Sequence, residues 1–213
     1  MTAAHRGRFI TLEGIEGSGK STLARALGDW LRSEGLTVHA TREPGGTPLA
    51  ESIRQLVLAR AAEPMPPTAE LLLMFAARAV HWENRIQPAL MAGQWVFCDR
   101  FTDATFAYQG AGRGLSTASI AALETQVLGS RQPDLTFLLD MPVEQGMRRV
   151  QQRGLQRDRF ESERVEFFER VRRGYLDRAR AAPQRFVVID ASGTAVAVHG
   201  IVSGRLESLL AAG

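Results

Sequence analysis

Residues 14–21, GIEGSGKS, end a glycine-rich run with a lysine and a serine in the spacing G-x-x-x-x-G-K-[ST]. Of the 26 basic residues in the chain, Lys20 is the one lysine and the rest are arginine. Arginine serves wherever a plain positive charge suffices, so Lys20 answers a need that a guanidinium does not meet. A compact ammonium on a flexible stem can follow a phosphoryl group as it moves, whereas the arginine fork is planar, rigid and bulkier. Glycines let a loop close around phosphate, with backbone N–H groups and the N-terminus of the next helix facing the anion. On this reading Gly14, Ile15, Glu16, Gly17, Ser18, Gly19, Lys20, Ser21 and Thr22 wrap the phosphates of ATP, and the Ser21 hydroxyl serves Mg2+.

A phosphate loop serves switches, motors and kinases alike. A guanine-reading switch needs an Asn-Lys-x-Asp segment, and Asn84 is the only asparagine while Lys20 is already used. The same shortage removes the catalytic loop of a protein kinase, which carries a metal-binding asparagine. At 213 residues the chain is small for a motor or helicase. A small kinase acting on a small acceptor remains, set against kinases for other nucleotides and against a non-catalytic ATP-binding module.

The elements that position this loop follow from the apolar pattern. Five short runs rich in β-branched or aromatic residues occur at 8–13, 36–41, 94–99, 134–140 and 185–190, and each is followed by a segment of helical length. Alternating strands and helices predict an α/β fold, a parallel sheet with right-handed crossovers and helices on both faces. Function in such a sheet gathers at the carboxyl ends of its strands. Asp99 ends one run, where an acid can support Mg2+ through water. The segment from Pro67 to Gly93 predicts one helix kinked near Pro88. Another helix is predicted at 116–129, with Ser116 as N-cap and Gly129 past its end. With no repeat and no linker, residues 1–213 are expected to form one domain.

Composition sets the outer bounds. Net charge is +3, hydrophobic residues make up 45% and no apolar run approaches membrane-spanning length. The start, MTAAHRGRF, lacks a signal peptide's apolar segment, so a cytoplasmic location is expected, with no membrane partner. Cys98 stands alone and is expected to be inert near a strand end. Arginines crowd between 148 and 180, but ESERVEFFERVRRGYLDRAR alternates in sign, which predicts a solvated helix with i,i+4 pairs and no nucleic-acid stripe. The histidines at 5, 39, 81 and 199 have no carboxylate or cysteine partner at ligand spacing and are expected to be structural or at the surface.

Five segments, EGIEGSGKST, TREPGG (41–46), MFAARAVH (74–81), CDRFTDATFAYQGAGRG (98–114) and PDLTFLLD (133–140), resemble the thymidylate kinase family in its own order along most of the chain. The match is to bacterial members with Glu in the phosphate loop and basic residues in the lid. The resemblance implies a P-loop NTPase fold with a five-stranded parallel sheet in the order 2-3-1-4-5, transfer from MgATP to dTMP, and a homodimer. Glu16 is odd in a loop built for a triphosphate. It makes sense if directed away, and the family places it on the deoxyribose 3′-OH. Arg42 and Arg54 resemble the binders of the acceptor phosphate, a task suited to bidentate forks. Phe75 and Arg78 lie three apart and share a helix face. From the residues alone Phe75 belongs to a core, and the family stacks thymine on it and sets Arg78 on the base O4. Thr105, Tyr108 and Gln109 complete the implied base pocket, with Tyr108 excluding a ribose 2′-OH. Position 104 is Ala where the family often has Ser. Arg100 is implied to bridge donor and acceptor phosphates. The implied lid covers 149–160, with Arg149 on adenine, Gly154 as hinge, and Arg153, Arg157 and Arg159 delivered on closure, Arg153 to the transferred group. The implied acceptor-binding region spans residues 42–82.

Overall fold

The strand Phe9–Glu13 (β1) is buried along its whole length, as a strand with a neighbour on each edge and helices on each face must be. A computed structural model describes residues 7–59, 63–152, 159–160 and 163–211. The other strands are β2 (Val38–Arg42), β3 (Trp95–Asp99), β4 (Leu135–Asp140) and β5 (Phe186–Asp190), all parallel. Their order is β2-β3-β1-β4-β5, as the resemblance implied. The helices are α1 (Lys20–Ser33), α2 (Pro48–Leu58), α3 (Pro67–His81), α4 (Gln87–Met91), α5 (Thr102–Thr105), α6 (Thr117–Leu128), α7 (Val143–Gln152), α8 (Val165–Ala181) and α9 (Ala195–Ala211). Among the described residues no helix is long and apolar enough to cross a membrane.

Leu23, Leu27 and Leu31, four apart on α1, pack with Val198, Val202 and Leu206 of α9 against Ile10, Leu12, Phe97 and Phe137 on one face of the sheet. The strand residues between these point to the opposite face, where Phe9, Val96 and Cys98 meet Trp82, Ile86 and Phe101. Burial raises the Cys98 thiol well above its ordinary value, which suits an inert residue. Leu12 is level with Asp99, and Glu13 with Leu138, so the loop leaving β1 emerges beside the carboxyl ends of both neighbouring strands.

Three details differ from expectation. The helix predicted from Pro67 onward is interrupted by a π-helical turn, Trp82–Ile86, before α4. Pro88 lacks an N–H and crowds the carbonyl four residues back, and the wider turn absorbs that misfit. Ser116 occupies the N-cap of α6, but its hydroxyl makes no capping bond; Gly129 ends the helix with φ 64°. Three arginines of α8 are tertiary ties. Arg172 holds Asp140 of β4, Arg178 holds Asp103 of α5, and Arg170 donates to the Gly112 carbonyl, while Arg180–Asp177 is the ion pair made within the helix. A second π-helical segment, Phe106–Gly112, lies against α8. There a Cβ on Gly174 would come within 2.7 Å of the Ala111 side chain, so glycine allows the close approach.

Candidate active site

The loop between β1 and α1 curls back on itself through Gly17 (φ 78°) and Gly19 (φ 95°). Gly17 is also a point of contact, because a Cβ there would sit 2.2 Å from the Gly146 carbonyl oxygen at the start of α7. Lys20 folds over this loop. Its Nζ donates to the carbonyls of Gly14 (3.0 Å) and Ile15 (2.9 Å) and to Ser18 Oγ (3.4 Å). Burial, followed by the neighbouring Arg100 guanidinium, lowers its pKa to about 8. Ser21 Oγ donates to Asp99 Oδ2 at 3.0 Å. Asp99 Oδ1 is buried and has no hydrogen-bond partner among the described residues. A hydroxyl beside a carboxylate with a spare oxygen is a donor set suited to a hard cation that keeps most of its water.

Two cavities flank the loop, and Gly17, Gly19 and Thr22 line both. One, of about 360 Å³, is walled by Glu16, Arg54, Asp99, Arg100, Tyr108, Gln109 and Phe160, with Met74 and Ala104. The other, of about 380 Å³, is walled by Arg149, Gln152, Gly193 and His199. The Arg149 guanidinium donates to the carbonyls of Ala191 (3.1 Å) and Ser192 (3.2 Å), which fixes it at the rim of that second cavity.

Arg100 stands in the wall of the first cavity. It has φ 69°, the one positive value at a non-glycine position among the described residues. Such a conformation is held only where the surroundings over-determine it. Arg100 Nη2 donates to Glu16 Oε1 (2.9 Å), Nη1 donates to Tyr175 Oη (2.9 Å), and the guanidinium lies 4.7 Å from the centre of the Tyr108 ring. Tyr108 Oη donates to Glu16 Oε2 at 2.7 Å. Burial holds the Tyr108 phenol well above its ordinary value, so it remains a donor. Behind Arg100, Tyr175 Oη donates to Glu13 Oε2 (2.8 Å), and Phe101 N donates to Glu13 Oε1 (2.7 Å). Burial first, and Asp103 second, raise the Glu13 carboxyl to about 7.

Beyond Tyr108 the side chains are buried and pinned from behind. Arg78 Nε donates to Glu43 Oε2 (2.7 Å) and Nη2 donates to the Phe101 carbonyl (3.0 Å). His81 Nδ1 lies 3.1 Å from the other Glu43 oxygen, and its Nε2 lies 2.7 Å from Thr41 Oγ1. Three atoms here are buried with no hydrogen-bond partner among the described residues: Arg78 Nη1, Thr105 Oγ1 and Gln109 Oε1.

Not every expected residue reaches the first cavity: Arg78 and Thr105 are buried and do not form part of its wall. Phe75 is buried with Leu71, Phe106 and Ile120, and the Arg78 guanidinium lies 4.8 Å from its ring centre. Met74, its neighbour, stands in the wall. Arg42 is half exposed and paired with Glu51 at 2.9 Å, outside that wall. Arg54 does line the cavity and donates to the Pro44 carbonyl at 2.9 Å. Arg153, Gly154 and Arg157 lie outside the described residues. Arg159 is held by the Val57 carbonyl (2.9 Å) and by Glu70, and its guanidinium covers the ring of Phe160.

The motifs did not single out Glu13, Glu43, Glu70, Phe160 or Tyr175, and they assigned His81 to structure. Glu43 lay inside the quoted TREPGG segment, but its burial is visible only in the fold.

Residues 12–201 match the family model described as thymidylate kinase. The thymidylate kinase of Chromohalobacter salexigens is 60% identical over 206 residues, covering 96% of this chain and 97% of that protein. That of Teredinibacter turnerae is 54% identical over 204 residues, covering 96% and 99%. The crystal structure of the thymidylate kinase from Ehrlichia chaffeensis superposes with a TM-score of 0.76 at 37% identity, covering 94% of this chain and 98% of the other. A phosphate loop between two cavities, on a sheet of this order, accompanies likeness along almost the whole chain: it belongs to the thymidylate kinase family.

Proposed function

We propose that the cavity lined by Glu16 and Arg100 holds dTMP, that the cavity beside Arg149 holds the adenosine end of ATP, and that transfer takes place at the loop between them. As a thymidylate kinase, the chain uses ATP to phosphorylate dTMP, giving dTDP and ADP. The observation that carries the residue assignment is a set of buried, unpartnered atoms: Gln109 Oε1 in the wall of the first cavity, and Arg78 Nη1 and Thr105 Oγ1 on residues just behind the wall residues Glu43 and Ala104. Arg78 Nη1 can donate to a carbonyl, Gln109 Oε1 can accept from an N–H, and Thr105 Oγ1 can do either. Those demands match the O4 and N3–H edge of thymine, and buried polar groups without partners are costly enough to imply a ligand.

The attacking group is a phosphate monoester oxygen, whose second pKa near ~6 leaves it largely ionised at neutral pH. No general base is needed, so catalysis rests on alignment and on charge placed around the transferred group. Arg54 and Arg100 hold the acceptor phosphate. Lys20 exchanges its loop carbonyls for phosphate oxygens, which are stronger acceptors because they are charged. Glu16 fixes the Arg100 guanidinium and keeps lone pairs for the sugar hydroxyl of the acceptor. Ser21 and Asp99, the latter through water, would hold Mg2+, which would neutralise charge on the phosphates. Arg42 and Phe75 contribute only if the walls rearrange around the bound nucleotide. Exposed Leu49, Leu56 and Leu72 on α2 and α3 support assembly as a homodimer.

The test is a coupled ADP-release assay with dTMP, dUMP, UMP, dCMP, AMP and GMP at equal concentration. dTMP should give the highest kcat/KM, and a ribonucleotide in first place refutes the acceptor assignment.

A further inference from the structure

Gln109 lines the acceptor cavity from the second π-helical segment, and its side-chain amide is buried. Nε2 donates to Glu70 Oε1 at 2.7 Å, while Oε1 has no partner among the described residues. Glu70, in the first turn of α3, is itself fully buried and forms ion pairs with Arg113 and Arg159. A carboxylate in two ion pairs has no hydrogen to give. Only the NH2 end of the amide can therefore face Glu70, and the carbonyl end is left for the cavity.

We propose that Glu70 is a positioning residue that sets the base specificity of the acceptor site, acting through the orientation of the Gln109 amide. The proposal rests on the reading of this cavity as the dTMP site. With Oε1 presented, the base must bring an N–H. Thymine and uracil do so at N3, whereas N3 of cytosine is an acceptor and meets Oε1 lone pair to lone pair. Arg78 is pinned by a buried carboxylate in the same way, since its Nε donates to Glu43. The two differ in one respect. A guanidinium turned over still presents a donor, but a glutamine amide turned over exchanges donor for acceptor. Discrimination at N3 therefore depends on the group behind Gln109, and that group is Glu70.

Glu70 also secures Arg159, next to the cavity residue Phe160, so its replacement can slow every acceptor alike. A ratio between acceptors cancels that common loss. The experiment measures kcat/KM for dTMP, dUMP and dCMP with the wild type, Glu70→Gln, Glu70→Asp, Gln109→Leu and the double variant Glu70→Gln/Gln109→Leu. In Glu70→Gln the amide at 109 is free to turn, and the dCMP:dTMP ratio should rise by about tenfold or more, the scale of one mispaired hydrogen bond relieved. The dUMP:dTMP ratio should hold within about twofold, the usual scatter of non-interacting changes. In the Gln109→Leu background, adding Glu70→Gln should no longer move the dCMP:dTMP ratio. Glu70→Asp keeps the charge for Arg113 and Arg159 but draws the carboxylate back from Gln109, and should raise the ratio to a lesser extent. It decides the matter if Glu70→Gln does not fold. An unchanged dCMP:dTMP ratio in the folded variants, or an equal rise in the Gln109→Leu background, overturns the role given to Glu70. A wild type that prefers another monophosphate to dTMP overturns the acceptor reading instead, so the two failures are distinct.

Discussion

Glu13→Gln should gain stability relative to the wild type as pH rises through neutral and should be less active, and the size of both effects follows from the surroundings of Glu13. The carboxyl is fully buried, and burial, reinforced by Asp103, raises its pKa to about 7 from an ordinary 4.5. The folded state therefore holds a proton on Glu13 at pH values where the unfolded chain has released it. A group whose pKa is raised on folding contributes fully below the unfolded value, and that contribution fades as pH rises towards the folded value. Between pH 5 and pH 8 this linkage removes about 2 to 3 kcal/mol from the wild type. A glutamine side chain cannot ionise and loses nothing over the same window. Urea unfolding of both proteins at pH 5 and pH 8 should thus show the Glu13→Gln variant gaining on the wild type by that amount.

The activity should move in the opposite direction. Tyr175 Oη donates to Glu13 and accepts from Arg100, so the carboxylate orders the arginine through one phenol. Replacing a charge-assisted acceptor by a neutral amide costs about 1 kcal/mol of that ordering, or roughly a fivefold loss in kcat at pH 8. Parallel stability curves for the two proteins would show that Glu13 does not titrate in the buried environment described. Undiminished kcat would show that Arg100 needs no support from behind.

Lys20→Arg keeps the charge but should lower kcat by about 100-fold or more, the scale of removing one preorganised charge stabiliser; near-normal turnover contradicts a phosphate-following role. Lys20 has its pKa lowered to about 8 by burial and Arg100, whereas a bound triphosphate favours the ammonium, so binding takes up a proton above that pH. ATP affinity measured by calorimetry should therefore weaken as pH rises through 8, and a profile flat to pH 9.5 would count against it. Glu16→Gln should impair dTMP more than 3′-deoxy-dTMP, by about 1 to 2 kcal/mol in kcat/KM, if the carboxylate holds the sugar hydroxyl. Equal losses would confine Glu16 to its bonds with Arg100 and Tyr108.

The residues assigned to phosphate were legible because they sit in short linear patterns, GIEGSGKS above all, and the strands because apolar runs of that length have few other readings. Their supports were not legible, because each comes from a distant segment. Glu13 and Tyr175 are 162 residues apart, Gln109 and Glu70 are 39 apart, and His81 and Glu43 are 38 apart. An acid inside a strand or a helix turn carries no local mark of what it will meet. Histidines judged by neighbours in sequence hid the Glu43 contact for the same reason. The α8 arginines read as a solvated stripe because alternating signs resemble i,i+4 pairing, yet Arg172 and Arg178 reach Asp140 and Asp103 on other elements. Phe75 was legible as a core residue from the residues alone, and its burial with Leu71 and Ile120 is the outcome that pattern describes.

The surroundings of the single lysine suggest a second reason for its place. The Nζ group is buried against the loop backbone, and the cation acting on it is Arg100. An arginine at position 20 would keep its charge at any pH the fold survives, and would face both desolvation and Arg100 before any phosphate arrived. Lysine, its pKa lowered to about 8, can shed the charge above that pH and regains a full ammonium when a triphosphate enters. Arg100 bears the opposite arrangement, with Glu16, Tyr108 and Tyr175 around its guanidinium before substrate binds. One cation is thus prepared by its partners and the other by its ability to yield a proton. A chain that uses arginine everywhere else has reason to keep one lysine beside Arg100.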